Sequence, residues 1–175
     1  MERNFCYLCA GKLNETSAHD GSRWECVKCG NVTYPNPKPA VDAVLFDKDG
    51  NVLLSVRGKE PRKGMLNLLG GFMNINETVE EALARELHEE IGVTTADYRE
   101  LTYLSSFTVD YPTKKETELL IVMIMTGVLN RTDLTASDDV AELVWKNPDQ
   151  IEPAEMALGQ RELDLILLAR AKHQF

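Results

Sequence analysis

The amino-acid sequence predicts an α+β fold with a small cysteine-bearing module at its N-terminal end. Three observations predict it. Apolar runs of strand length recur from Ala40 to Trp145, one amphipathic helix interrupts them, and all four cysteines lie in the first 30 residues. A chain of 175 residues can hold one full domain and a small satellite. Its 43% hydrophobic and 27% charged residues are ordinary for a folded chain, which argues against a disordered one. The longest apolar run, Leu119 to Met125, is strand-sized, well short of the roughly 20 residues that span a membrane. No apolar signal core follows Met1. The expectation is a cytoplasmic protein with no membrane partner.

The cysteines form two pairs, Cys6-x-x-Cys9 and Cys26-x-x-Cys29, separated by 16 residues. Each pair can present two thiolates to one ion, and two pairs complete a tetrahedral site. Soft thiolates in a closed tetrahedron favour Zn²⁺ over Mg²⁺. Two disulfides would suit a secreted chain, a redox Cys-x-x-Cys needs only one pair, and an iron site uses the same ligand count. Structural Zn²⁺ is the expectation, since about 35 residues cannot build an adequate core alone. Tyr34 to Pro39 carries three prolines and reads as a stiff extended linker. The expected division is residues 1–39, zinc ribbon and linker, and residues 40–175, the main domain.

Within the main domain, Ala40 to Phe46 is a strand, Asp47 to Asn51 a turn around Asp49-Gly50, and Val52 to Val56 the returning strand. A basic loop, Arg57 to Lys63, leads to another strand, Met65 to Leu69, ending at Gly70-Gly71. Thr78 to Ile91 is the clearest helix. Thr78 and Glu81 have capping-box spacing, Val79, Leu83, Leu87 and Ile91 recur every four residues, and Gly92 stops the helix. Further strands are expected at Leu101 to Val109, Thr117 to Leu129 and Glu142 to Trp145, with a turn at Tyr111 to Lys115. Pro153 should open a last amphipathic helix reaching about Lys172.

The polar face of the middle helix carries the chemistry. Glu86 and Glu90 lie about 40° apart around the axis, with Glu89 on the other side of Glu86, so three carboxylates share an arc of about 100°. Such crowding is unfavourable unless a hard divalent cation with oxygen ligands offsets it. Arg85 can orient Glu89 through a charge-assisted hydrogen bond. A solvated Glu-rich face is the common alternative. The surroundings favour a site: Gly70 and Gly71 allow close backbone approach to a ligand, and Glu77 precedes the helix cap.

From Gly71 the chain reads five residues, Glu77, seven residues, then Arg85-Glu86-Leu87-His88-Glu89-Glu90-Ile91-Gly92-Val93. This resembles the box of the Nudix hydrolase superfamily at every defined position. The resemblance implies an α/β/α sandwich around a mixed β-sheet. It implies that Glu86, Glu89 and Glu90 hold Mg²⁺ or Mn²⁺, that Arg85 orients a glutamate, and that Glu77 steadies the loop–helix join by pairing with Arg85. Gly71 would permit the loop turn. A four-cysteine ribbon, a Tyr-Pro linker and this domain are together similar to the NADH pyrophosphatase arrangement. That arrangement carries a Ser-Gln-Pro-Trp motif after the box, where this chain has Ser105-Ser106-Phe107-Thr108. The loop resembles Glu-x-Gly-Glu in relatives and is Asn74-Ile75-Asn76-Glu77 here.

The implied reaction is hydrolysis of a nucleoside diphosphate linked to another moiety: ADP-ribose, NAD(H), a dinucleoside polyphosphate or a nucleotide sugar. The base could be a box glutamate or a later residue such as Glu116 or Glu118. Two alternatives remain: action on the 5′ end of RNA, NAD-capped or triphosphate, and a non-catalytic nucleotide sensor. A net charge of −9 disfavours an extensive nucleic-acid surface. Relatives of this type are mostly dimers, which implies a homodimer. His88 reads as solvent-facing, His19 as a loop residue, Asp138-Asp139 as a turn, and Met123 and Met125 as core. Phe107, Tyr111 and Trp145 are candidates for base stacking.

Overall fold

The computed structural model describes residues 4–18, 21–34, 36–112, 117–138 and 140–175. The chain divides into two compact units, residues 1–38 with 110–119, and residues 39–109 with 120–175. In the first, β1 (Leu13–Ala18), β2 (Gly21–Cys26) and β3 (Val32–Thr33) form a three-stranded antiparallel sheet. Its core is minimal: Cys6, Leu13, Trp24 and Cys26, with Cys9 packed against them.

The second unit holds β4 (Lys38–Phe46) from Pro39 onward, β5 (Val52–Arg57), β6 (Leu66–Asn67), β7 (Leu69–Phe72), α1 (Val79–Ile91), most of β8 (Tyr98–Pro112) and β9 (Thr117–Leu129), β10 (Val140–Lys146) and α2 (Gln160–His173). The sheet order is β10-β5-β4-β9-β8, with β6 paired to β5 and β7 to β4. Alternation along β4 explains the layering. Val41, Ala43 and Leu45 point into one buried cluster with Leu83, Leu87 and Ile91 of α1. Phe46 points the other way, its ring 5.9 Å from that of His173 at the end of α2. One helix therefore covers each face, and the fold is mixed α+β, as expected.

Several boundaries differ from the sequence expectation. β4 starts at Lys38, inside the proline-rich segment, because Pro39 occupies an early strand position where its carbonyl still accepts the Met73 N–H, 3.2 Å. The strand expected at Met65 to Leu69 is two short strands, and the second runs through Gly70 and Gly71 rather than stopping there. The last helix begins at Gln160, not Pro153. Pro153–Glu155 is a separate 3-10 turn, and Gly159, at φ 64°, changes the chain direction before the helix. The expected turn at Tyr111 to Lys115 begins in β8, and its residues 113–115 lie outside the described residues, as does Glu116.

α1 has the predicted ends. Thr78 accepts the Glu81 N–H while the Glu81 carboxylate accepts the Thr78 N–H, and Gly92 caps the other end at φ 70°. Leu87 is fully buried at the middle of this helix. Leu87→Ala should destabilise the domain by about 2–5 kcal/mol, read as a lower urea midpoint with an unchanged slope.

Candidate functional site

α1 turns its acidic face toward β7. The Gly70 N–H donates to Glu90 Oε2 at 2.9 Å, and Glu90 is buried. A Cβ at Gly71 would lie 2.6 Å from Glu86 Oε1, so only glycine leaves room for that carboxylate. Gly70 sits at φ 144°, and a side chain there would strike the Val41 carbonyl. Both glycines thus have a steric reason, and both bring backbone against carboxylates of α1.

Arg85 organises the group. Its Nε and Nη2 donate to the two oxygens of Glu77, at 2.7 and 2.9 Å. Nη1 donates to Glu86 at 2.8 Å and Glu89 at 3.2 Å, and Nη2 also reaches the Phe72 carbonyl at 2.9 Å. Glu77 further accepts the Asn74 N–H at 2.7 Å. Asn76 has φ 70°, a left-handed conformation that asparagine tolerates better than most residues. It stands where the resembling loop has glycine.

The electrostatics follow. Hydrogen bonds from Arg85, then from the Asn74 backbone, hold Glu77 down at about 2. Desolvation raises Glu86, and the Glu89 and Asp138 charges add to this against Arg85. The three box carboxylates do not close into one cage: Glu90 faces the Gly70 amide, while Glu89 is the exposed one. A hard divalent cation that keeps several waters suits such an open set, and the repulsion raising Glu86 is what it would relieve. Two acids escaped the sequence reading. Burial pushes Asp42 up to about 8, aided by Glu162 and Glu86 and opposed by Arg57. Burial likewise pushes Glu162 up to about 7, against the Leu158 and Leu68 backbone and the Arg62 and Arg57 charges. The signal for Asp42 was its place as the one charged residue within Ala40 to Phe46. For Glu162 it was its spacing with Leu165, Ile166 and Ala169 on a buried helical stripe.

In the ribbon unit, the Sγ atoms of Cys6, Cys9, Cys26 and Cys29 lie within 4.8 Å of one another. Their separations include 3.4 Å for Cys9–Cys29, 3.5 Å for Cys9–Cys26 and 3.8 Å for Cys6–Cys29. Metal–sulfur bonds of about 2.3 Å in a tetrahedron require edges of about 3.8 Å, so the cluster is compatible with a zinc ribbon. Backbone hydrogen bonding by Cys29 leads the causes that lower Cys26 to about 6. The Asn31 backbone favours the Cys29 thiolate, but hydrogen bonding with Cys9 and Cys26, and burial, push it up to about 12.

Other singled-out residues separate. Trp145 packs on the core cluster that contains buried Met125, and His88 is exposed. Phe107 lies under the Arg161 guanidinium, 5.1 Å from its ring centre, beside a cleft of about 500 Å³. Glu118 pairs with Lys38 at 2.6 Å, in the ribbon unit. His19 and Asp139 lie outside the described residues.

Comparison with known proteins decides the family. The NUDIX domain model matches residues 36–165. The chain belongs to the Nudix family. Among relatives, the NAD-capped RNA hydrolase NudC of Pseudomonas aeruginosa is 27% identical over 172 residues, covering 95% of this chain and 56% of the relative. This Nudix chain thus spans about half the length of that relative. The ADP-ribose pyrophosphatase of Methanocaldococcus jannaschii is 47% identical over 60 residues, 34% of this chain and 35% of that protein. A NUDIX hydrolase from Nitrosomonas europaea superposes with TM-score 0.70 at 23% identity, covering 98% of this chain and 93% of that one. The NUDIX domain of Shewanella oneidensis NrtR, solved with ADP ribose, gives TM-score 0.64 at 23% identity, covering 80% and 90%. These structures share the Nudix fold. No helix among the described residues is long and apolar enough to cross a membrane.

Two outcomes are expected from this geometry. Because Glu77 titrates near 2 rather than near 4.5 in the fold, its stabilising effect is complete above about 4.5 and lost as pH falls toward 2. Arg85→Ala should return the Glu77 carboxyl toward its ordinary range in an NMR titration and move acid unfolding to higher pH. For the ribbon, the purified chain should release one zinc ion on treatment with a thiol-specific mercurial, and Cys26→Ala should carry none.

Proposed function

We propose that this chain is a divalent-cation-dependent pyrophosphohydrolase acting on a nucleoside diphosphate linked to a second moiety. The observation that carries the reading is the carboxylate face of α1: Glu86 and Glu90 set against Gly71 and Gly70, with Glu86 and Glu89 held by one arginine. A Mg²⁺ or Mn²⁺ ion held by these glutamates would neutralise the pyrophosphate oxygens and acidify a bound water. The chain's own contribution is placement. Arg85 holds Glu86 and Glu89 in place, and Glu89 stays exposed to solvent. Burial raises the Glu86 carboxyl above its ordinary range, and we take Glu86 as the candidate base for that water. Gly71 lets the strand pass close to the Glu86 carboxylate because nothing projects from it. Structural Zn²⁺ on Cys6, Cys9, Cys26 and Cys29 belongs to the same proposal, as does a homodimer.

Among substrates, the names of the relatives favour those built on ADP-ribose or NAD. A second reading, an NAD cap at the 5′ end of RNA, draws on the relative that aligns with 95% of this chain. The two readings share an ADP-ribose unit and differ in what is attached to it.

The test is turnover with Mg²⁺ on ADP-ribose, NADH, a dinucleoside polyphosphate, a nucleotide sugar and NAD-capped RNA. Glu86→Gln should lose about 100-fold or more in kcat on whichever substrate is cleaved. A higher kcat/KM on NAD-capped RNA than on NADH would move the assignment to RNA. Absence of turnover on the whole panel, with ADP-ribose still bound, would leave a sensor instead of an enzyme.

A further inference from the structure

Two glutamates are buried among the described residues, Glu90 and Glu162, and they come from different helices to one segment, at Gly70 and at Leu68. Glu90, from α1, takes the Gly70 N–H. Glu162, 1% exposed in the first turn of α2, takes the Leu158 N–H at 2.5 Å, while its Oε1 has no partner. Its backbone neighbours include Leu68, two residues before Gly70.

Leu158 closes a short loop that is bonded to β6. Met156 bridges Leu66 in parallel, and the Ala157 N–H donates to the Leu66 carbonyl at 2.7 Å. From Leu66 the segment runs directly to the site. The Ser55 hydroxyl donates to the Asn67 carbonyl at 3.2 Å, Gly70 is held by Glu90, and the Phe72 carbonyl by Arg85. The segment from Leu66 to Phe72 is thus fixed by α1 at its far end and by the Met156–Leu158 loop at its near end. Glu162 is the side chain that secures that loop to α2. At Gly71 the clearance is small, since a Cβ would lie 2.6 Å from Glu86. Small displacements of the segment therefore move backbone against the carboxylates.

An apolar side chain would suit the buried stripe of α2 better than a carboxyl with an unpaired oxygen, but it would leave the Leu158 amide without an acceptor. We propose that Glu162 is a positioning residue: by accepting the Leu158 N–H it fixes the strand bearing Gly70 and Gly71 against Glu86 and Glu90, and so sets the affinity of that carboxylate face for a divalent cation. The proposal rests on reading that face as the cation site.

The experiment compares Glu162→Asp and Glu162→Gln in the zinc-loaded full chain. Asp keeps the charge but withdraws the acceptor by one methylene, whereas Gln keeps a carbonyl oxygen in place. Mn²⁺ binding, followed by loss of the free-ion EPR signal, should weaken about tenfold in Glu162→Asp, the lower end of what supporting contacts to metal ligands contribute. In Glu162→Gln it should stay within about twofold of wild type, at thermal midpoints that show both variants folded. Wild-type Mn²⁺ affinity in folded Glu162→Asp would overturn the proposal. So would a loss in Glu162→Gln as large as that in Glu162→Asp or larger, because Gln keeps the acceptor and should keep the affinity. A wild type that takes up no Mn²⁺ would remove the cation site and the proposal with it. Mn²⁺ affinities that follow the expected pattern, in a chain that cleaves none of the nucleotides above, would uphold the positioning role while sinking the pyrophosphohydrolase reading alone.

Discussion

Everything around the acidic face of α1 depends on one guanidinium. Arg85 joins Glu77, Glu86, Glu89 and the Phe72 carbonyl, and through Glu77 it reaches the Asn74 backbone. Its planar fork supplies N–H groups in several directions at once, which a lysine ammonium on a flexible stem would not do with the same geometry. The two oxygens of Glu77 accept two of them, and that pair joins the loop before the helix to the helix itself. The remaining donors restrain Glu86 and Glu89. The arrangement also explains why Gly71 and Glu77 are needed at their spacing from Arg85. The strand must pass close enough for the Phe72 carbonyl to be reached, and the loop must then return a carboxylate to the same guanidinium.

Much of this was legible in the sequence, for a definite reason in each case. α1 was readable because cap, periodicity and stop agree over Thr78 to Gly92, so local preference and tertiary packing give the same answer. The cysteine cluster was readable because ligand spacing alone restricts which four side chains can share an ion. The ends of β4 and α2 were not readable. Pro39 enters the sheet because its missing N–H is not needed there, and Pro153 starts a 3-10 turn because Gly159 redirects the chain before α2. Asp42 and Glu162 were missed for a shared reason. Each interrupts an apolar stripe by a single residue, and a periodicity argument treats one exception as noise. In the fold both are desolvated carboxyls near the Leu66 to Phe72 segment, where a long-range contact decides their role.

On the proposed reading, the chain pairs two kinds of ligand set that differ in softness and in closure. The sulfur separations lie near the edge length of a zinc-centred tetrahedron, a closed set that would leave no position for water. The three carboxylates are spread along a helix and remain open on one side, the arrangement a hydrated hard cation requires. Thiolates at the open site would take a soft ion and hold it closed, while carboxylates in the ribbon would leave its small core without a tight crosslink. The separation of the two sets into different units follows from these opposite demands.

Charge distribution completes the picture. A net charge of −9 would repel a pyrophosphate substrate if it were spread evenly. It is not. Arg57, the last residue of β5, and Lys59, Arg62 and Lys63, in the loop before β6, fall within seven residues. Lys59 approaches Asp138 to 4.0 Å, and the Asp138 charge is felt at Glu86, so this basic loop borders the carboxylate face. Arg57 and Arg62 also oppose the rise of Glu162 behind the glycine strand. Locally, then, the acids of α1 and α2 are set among cations within a chain that is acidic overall. Such a field draws a compact polyanion to one place, whereas a long polyanion must also meet the acidic remainder of the surface.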